Sequence, residues 1–296
     1  MNKIAVYGGL GNQMFQYALF LAFKSRGKKV KLSLSDFFYL YHHNGFNLHT
    51  AFDLRLEFTP KVTGHFLNNG EFLYKNKIAA GFLRRIIPKY KKGRYTEYRE
   101  KKEFLYDPAL FDQESKLLIG TWQAENYFSD IKDMLHGAFT FRTPVDAENV
   151  RLAEKISNSN AISIHVRRGD YQGTEWEKSH HVIKDISYYT NALQYLQGKV
   201  KNPRYFVFSD NIDWVKQHLE LPGCTYIDHN KGKNSYIDMY LMSLCKHNII
   251  ANSTFSWWGA WLNRYEDKIV VMPEKWLNNT DCQGIFPPQW IKMPVE

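Results

Sequence analysis

The stretch Lys3-Ile4-Ala5-Val6-Tyr7, running into Gly8-Gly9-Leu10-Gly11-Asn12-Gln13, decides how the chain is read. A short apolar run meets a glycine turn, and a helical pattern follows with Phe15, Ala18, Leu19, Ala22 and Phe23 on one face. Gly27 ends that helix, and Val30 to Leu34 reads as the next strand. Strand, helix, strand is the unit from which a parallel sheet with helices on its faces is built. The turn lacks the third glycine of the dinucleotide fingerprint. It is either a tight turn into a helix or a place where substrate approaches the backbone beside Gly11, Asn12 and Gln13.

The stretch from about Leu40 to Tyr106 is less regular and reads as loops and short helices. Leu117 to Gly120 suggests a strand, and Asn126 to Leu135 a helix. A break falls around Phe141 to Asn149, where Thr143-Pro144 signals a turn and Asp146 can cap a helix through Val150 and Leu152. The alternation then restarts. Strands are expected at Ala161 to Val166, Arg204 to Phe208, Cys224 to Ile227, His247 to Ala251 and Lys268 to Met272. Helices are expected at Ser187 to Leu196, capped by Asp185 or Ser187, and at Ile212 to Leu219. Two more are expected at Tyr236 to Cys245, with Ser235 and Asp238 as a capping box, and at Ser256 to Leu262. The expected fold is α/β, two Rossmann-like lobes facing a cleft, with lobes at 1–149 and 150–296 and the last segment packing back on the first. Ligands of such sheets bind at the carboxyl ends of the strands.

Composition narrows the classes. With 296 residues, 44% hydrophobic and 23% charged, the chain can bury a sizeable core. The net charge of +9 attracts polyanions: nucleic acid, anionic lipid or a diphosphate. Arg84, Arg85, Lys89, Lys91, Lys92 and Arg94 form a dense basic run, either a solvated surface or a membrane-surface patch. The run lacks the interleaved aromatics of a nucleic-acid binder, beyond Tyr90 and Tyr95. Three widely spaced cysteines suggest neither a disulfide framework nor a metal site, and fit a reducing compartment. The opening residues read as a strand rather than a signal peptide, and no apolar run approaches the roughly 20 residues of a membrane helix. The expected location is cytoplasmic, with peripheral contact at the inner face of the membrane through residues 84–94.

Four segments carry the polar chemistry. His165-Val166-Arg167-Arg168-Gly169-Asp170-Tyr171 follows an apolar strand. Adjacent arginines there need an anionic partner, which a diphosphate supplies and a carboxylate supplies equally. Asn252-Ser253-Thr254-Phe255-Ser256-Trp257-Trp258-Gly259 joins a strand to an aromatic helix, whose start is an anion site or an ordinary serine cap. Trp257, Trp258 and Trp261 read as core. Asp210, after Phe206-Val207-Phe208-Ser209, either accepts hydrogen bonds from a nucleoside or caps the next helix. The glycine turn is the fourth. No two aspartates are separated by a single residue, so the common metal clamp for a nucleotide sugar is missing. The adjacent pairs His42-His43 and His180-His181 point apart on a strand and share no helix face.

Taken together these segments resemble the bacterial and animal α-1,2-fucosyltransferases, glycosyltransferase family 11. The matching pieces are Gly8-Gly9-Leu10-Gly11-Asn12-Gln13-Met14-Phe15-Gln16-Tyr17-Ala18, Gly120-Thr121-Trp122-Gln123-Ala124-Glu125-Asn126-Tyr127-Phe128, His165 to Tyr171, Phe208-Ser209-Asp210 and Asp238 to Trp258. The resemblance implies a GT-B-like fold, GDP-β-L-fucose as donor, inversion at the anomeric carbon, an α-1,2 link to a terminal galactose, and no metal or other cofactor. It implies as partners a galactose-terminated oligosaccharide or lipid-linked glycan, and no nucleic acid, with the lobe at 1–149 on the acceptor side and the lobe at 150–296 binding the GDP-sugar. By position, Arg167 would hold the diphosphate with Arg168 in support. His165 and Ser253, Thr254, Phe255 and Ser256 would line the nucleotide site, and Asp210 would meet the guanine or ribose. Gly11 and Asn12 join the donor-binding candidates. The base that takes the acceptor proton is Asp170 or Glu175, with Asp170 preferred for its place three residues past Arg167. An Asp170 that only orients the arginines is the alternative.

Overall fold

The computed structural model describes residues 1–34, 45–54, 56, 96–168, 177–180, 182–183 and 185–295. The basic run at 84–94, His42, His43, His181, Asp170 and Glu175 lie outside the described residues. The chain forms two compact units, Met1–Arg142 with Gln283–Ile285, and Thr143–Cys282 with Phe286–Glu296.

In the first unit, β1 (Asn2–Ala5) leads through α1 (Leu10–Ser25) to β2 (Val30–Ser33), followed by α2 (Leu48–Ala51), β3 (Thr96–Arg99), β4 (Lys116–Ile119) and α3 (Lys132–Ala138). The four strands lie in the order β2-β1-β4-β3, all parallel. Ile4 sits level with Leu32 on one side and Leu118 on the other, and all three are fully buried. Helix α1 covers the sheet with Met14, Phe15, Ala18, Leu19, Ala22 and Phe23, the face expected from its periodicity. The helix expected from Asn126 begins only at Lys132. Short 3₁₀ turns at Glu125–Tyr127 and Ser129–Ile131 precede it. The buried Phe128, packed on Phe15 at a 6.0 Å ring separation, holds φ −141° and ψ 14°, which breaks the helical run.

The second unit runs α4 (Ala147–Ser157), β5 (Asn160–Val166), α5 (Glu177–His180), α6 (Ser187–Gln197), β6 (Pro203–Ser209), α7 (Ile212–His218), β7 (Thr225–Ile227), α8 (Tyr236–Leu244), β8 (His247–Ile249), α9 (Thr254–Leu262), β9 (Val270–Pro273) and β10 (Ile291–Met293). Its six strands are parallel, in the order β10-β9-β8-β5-β6-β7. Successive residues of β5 serve opposite faces. Ile162, Ile164 and Val166 pack with Tyr188, Tyr189, Ala192 and Leu196 of α6 and Val215 of α7. Ala161 packs on the other side with Ile156 of α4 and Ile237 and Leu241 of α8. Burial on both faces explains why β5 and β6 read as continuous apolar runs. Trp257, Trp258 and Trp261 are core, as expected, with Trp290 against Trp257 at 5.4 Å.

Helix caps differ in part from expectation. Asp146 caps α4, accepting the Asn149 N–H at 2.9 Å. The N-cap position of α6 is Ile186, and Asp185 accepts the Ser187 N–H at 2.7 Å. No capping box forms at α8: the Ser235 side chain makes no cap bond, and Asp238 turns instead to Asn230. Among the described residues no helix is long and apolar enough to cross a membrane.

Candidate active site

Strand order places the chemistry. In the second unit the chain lays β5, β6 and β7 side by side in one direction, then returns to set β8 against the other edge of β5. Connections therefore leave β5 and β8 toward opposite sides, and a crevice opens at their carboxyl ends, where parallel sheets bind ligands. His165 to Arg168 leave β5 there, and Ser253 to Ser256 follow β8. Two tyrosines of α6 brace both strand ends. Tyr188 donates to the Ile250 carbonyl at 2.6 Å and Tyr189 to the His165 carbonyl at 3.1 Å.

His165 is buried, its ring 5.9 Å from that of Phe255, so the two segments meet across the reversal. Burial drives its pKa down to about 3, the Arg167 charge adds to the fall, and Asp210 opposes it. The imidazole is thus neutral near pH 7. Its Nδ1 is buried and has no hydrogen-bond partner among the described residues.

The register of β5 on β6 pairs Val166 with Ser209, which sets Arg167 level with Asp210. Arg167 Nε lies 4.0 Å from Asp210 Oδ2, and the Arg168 N–H donates to Asp210 Oδ1 at 2.9 Å. Asp210 thereby anchors the turn that carries both arginines. It does not cap α7; Asn211 does, accepting the Trp214 N–H at 3.1 Å. The two guanidinium groups part company: that of Arg168 stacks on the Trp214 ring at 3.8 Å.

Across the crevice, α9 starts at Ser253, whose side chain makes no cap bond, with Thr254 and Phe255 half-buried. No acidic residue stands in its first turn, so its dipole favours an anion at this end. Ser256 is placed otherwise: it is fully buried, and its hydroxyl donates to the Ser253 carbonyl at 3.3 Å. Asn252 holds the preceding loop, donating to the carbonyls of His180 and Trp276.

Beyond β7 a polar network was legible only in fragments. Asn149 donates to Asn230 at 2.8 Å, Asn230 donates to Asp238 at 2.8 Å, and His229 meets Asn149 at 3.1 Å. Burial raises the Asp238 pKa to about 7, the Asn230 bond opposes the rise, and the Asp228 charge adds to it. Sequence reasoning assigned Asp238 only to a cap, because a carboxylate two turns from a strand looks the same in either role.

The first sheet has its own reversal. The chain passes from β1 to β2, then returns to place β4 on the far edge of β1. The glycine turn with Gly11 and Asn12 leaves β1 there, and Gly120 to Gln123 leave β4. Gly8 holds φ 79°, and a Cβ on it would meet Asn12 Nδ2 at 2.8 Å. The fully buried amides of Gln13 and Gln16 stitch the loops: Gln13 donates to Gly8 and Gly45 carbonyls, and Gln16 donates to that of Gly120 while accepting the Tyr7 N–H. Gln123 donates to Asn12 Oδ1 at 3.1 Å. Glu100, which follows β3, accepts the N–H groups of Thr121 and Trp122. No motif marks Glu100, and its place depends on β3 pairing with β4.

The chain therefore carries its polar segments at two strand-order reversals, one in each unit. The sequence profile described as glycosyl transferase family 11 matches residues 82–294. An α-1,2-colitosyltransferase of Escherichia coli is 32% identical over 97% of this chain and 96% of its own length. The O-antigen biosynthesis glycosyltransferase WbnK of Escherichia coli is 30% identical over 97% of this chain and 98% of its own. The human galactoside alpha-(1,2)-fucosyltransferase 1 is 24% identical over 44% of this chain and 37% of its own. A profile match over most of the chain, and relatives aligned over nearly all of it, establish that this protein is a glycosyltransferase and belongs to glycosyltransferase family 11.

Proposed function

We propose that the protein transfers L-fucose from GDP-β-L-fucose to the 2-hydroxyl of a terminal galactose in an oligosaccharide or lipid-linked glycan, with inversion and without a metal. The observation that carries the reading is the pairing, across one reversal, of the Arg167 turn with the N-terminus of α9, whose first turn holds no acidic residue. Both are positive and neither can lose its charge near pH 7. As the bond from the anomeric carbon to the diphosphate breaks, negative charge grows on the leaving group, and fixed cations beside it lower the barrier. Arg167 is assigned to that charge, with Ser253, Thr254 and Phe255 beside it. His165, neutral and with one ring nitrogen unpartnered, suits a hydrogen bond to the nucleoside. Asp210 then serves the site chiefly by fixing the arginine turn. The acceptor hydroxyl loses its proton late, to Asp170 or Glu175.

The donor has a second candidate. A relative matched over nearly the whole chain is named a colitosyltransferase, and colitose is fucose without its 3-hydroxyl. The deciding experiment is mass spectrometry of products formed from GDP-fucose, GDP-colitose and UDP-sugars on galactose-terminated glycans, in excess EDTA. Addition of one fucose, linked to the galactose 2-hydroxyl, is the expected result. Transfer from GDP-colitose with none from GDP-fucose would replace the donor, and activity restored only by Mg²⁺ or Mn²⁺ would remove the metal-independent mechanism.

A further inference from the structure

Guanidinium groups on successive residues repel each other, and neither can shed its charge. The segment that leaves β6 and enters α7 deals with Arg167 and Arg168 separately. The Asp210 carboxylate holds the backbone of their turn through the Arg168 N–H at 2.9 Å, and lies 4.0 Å from Arg167 Nε. One turn further on, Trp214 takes the Arg168 side chain, with the guanidinium carbon 3.8 Å from the ring centre. At that distance the planar group lies flat on the indole, since an edge-on group would drive a nitrogen into the ring. The indole is fixed in turn. The His218 ring stacks on it at 4.3 Å and 15°. Two groups this close to one ring centre cannot share a face, so Arg168 and His218 lie on opposite sides of the indole. The His218 Nδ1–H donates to the Trp214 carbonyl at 2.8 Å, and the Trp214 N–H donates to the Asn211 cap at 3.1 Å. Trp214 is half-buried and also packs on the core that contains Val166 and Val207.

We propose that Trp214 is a positioning residue for the diphosphate of the donor: its indole fixes the plane of the Arg168 guanidinium, so that Arg168 meets the anion with a pre-set N–H edge. Stacking occupies the face of a guanidinium and leaves its N–H donors, all in the plane, for hydrogen bonds. An unsupported arginine gives up its rotamer freedom when it grips an anion, whereas one already held on a ring has given up much of it beforehand. Tryptophan is the best of the aromatic platforms for a cation, which accounts for the residue type at 214. Covering the core needs only one face of a side chain; here a second face of the indole is given to a charge. The division of labour follows from the β6–α7 turn, where one short segment supplies a carboxylate for the backbone of the arginine pair and a ring for its second side chain. The proposal rests on the reading of this turn as a diphosphate site and does not depend on which sugar the donor carries.

The test is calorimetric titration of the full chain with GDP, UDP and inorganic pyrophosphate, on a double-mutant cycle of Trp214→Leu and Arg168→Ala. Trp214→Leu should weaken binding of the tightest of these ligands roughly three- to thirtyfold, the range for one cation–π contact. Trp214→Phe, which keeps a platform, should recover most of that loss. In the Arg168→Ala chain the Trp214→Leu change should cost less than about twofold, because the partner it acts through is gone. If the leucine variant does not fold, the cycle is run with Trp214→Phe, whose loss in the unmodified background should be roughly two- to threefold. Equal losses with and without Arg168 would mean that Trp214 serves only the core, and would overturn the proposal. Unchanged affinity in the leucine variant, or a phenylalanine variant no better than leucine, overturns it too. A chain that binds none of the three ligands removes the diphosphate reading and this proposal together. One that binds UDP above GDP, with the cycle as expected, keeps the role of Trp214 and loses the GDP-linked donor.

Discussion

Glu100→Gln should stabilise the fold increasingly as pH rises from 4.5 to 7 and do nothing at pH 4. Burial raises the Glu100 pKa from its ordinary 4.5 to about 7, against the pull of the Trp122 and Thr121 N–H groups, which favour the ionised form. Between those values the folded chain holds a proton that the unfolded chain has released. Stability from this group is complete below about pH 4.5 and is lost as pH rises through 7. The rise corresponds to about 3 kcal/mol once the carboxyl is ionised in both states. Glutamine keeps an oxygen for the Thr121 and Trp122 N–H groups and never ionises. The variant should therefore exceed the unmodified chain by up to about 3 kcal/mol at pH 8.5 and by about 1.4 kcal/mol at pH 5.5, and match it at pH 4. The assay is urea unfolding of both proteins at pH 4, 5.5 and 8.5. Other shifted groups, Asp238 and His165 among them, are common to both chains and cancel in the difference. A constant offset between the two proteins across this range would refute the reasoning, and so would a less stable variant at pH 8.5.

Arg167→Ala should leave a folded protein, by circular dichroism and melting temperature, while transfer falls by roughly two to three orders of magnitude, the scale for losing one electrostatic donor. Arg167→Lys should rescue it poorly, because an ammonium lacks the planar fork; near-normal turnover in the alanine variant removes the role. Asp170→Asn, which deletes a basic oxygen and keeps the shape, should abolish transfer with GDP binding nearly unchanged. If GDP affinity falls with activity, Asp170 is structural, and if Glu175→Gln alone gives the expected pattern, Glu175 is the base.

Periodicity and turn chemistry made the strand–helix–strand opening legible, and the glycine before each new element marked its ends. The apolar runs ending at Val166 and Ser209 showed which polar residues stand at carboxyl ends of strands. What local sequence does not contain is strand order. Nothing in the residues after β7 says that β8 will return to the far edge of β5, yet that return brings Phe255 against His165. Side-chain choices between near-equal partners were equally hidden. Asn211 rather than Asp210 caps α7, because the parallel register brings Asp210 beside the arginine turn. Ser235 and Asp238 had the spacing of a capping box, and a buried Asn230 drew the carboxylate away. β10 was missed because its three residues are too few to show alternation, and its pairing with β9 alone defines it.

The three residues Gln283–Ile285 belong to the first unit, although nearly half the chain stands between them and Arg142. Gly284 donates to the Phe104 carbonyl at 2.7 Å, and a Cβ on it would meet that oxygen and Ala124 Cβ well inside contact distance. During synthesis the first unit thus emerges early but lacks this closing segment until the second unit has been translated. At ribosomal rates of about 5–20 residues per second the interval is roughly 7 to 30 seconds. Through that time the loop at Phe104 and the start of the Ala124 turn are exposed to water, chaperones and proteases. The first unit is thus completed by a glycine that the ribosome reaches only after the second unit's sheet has nearly all been made.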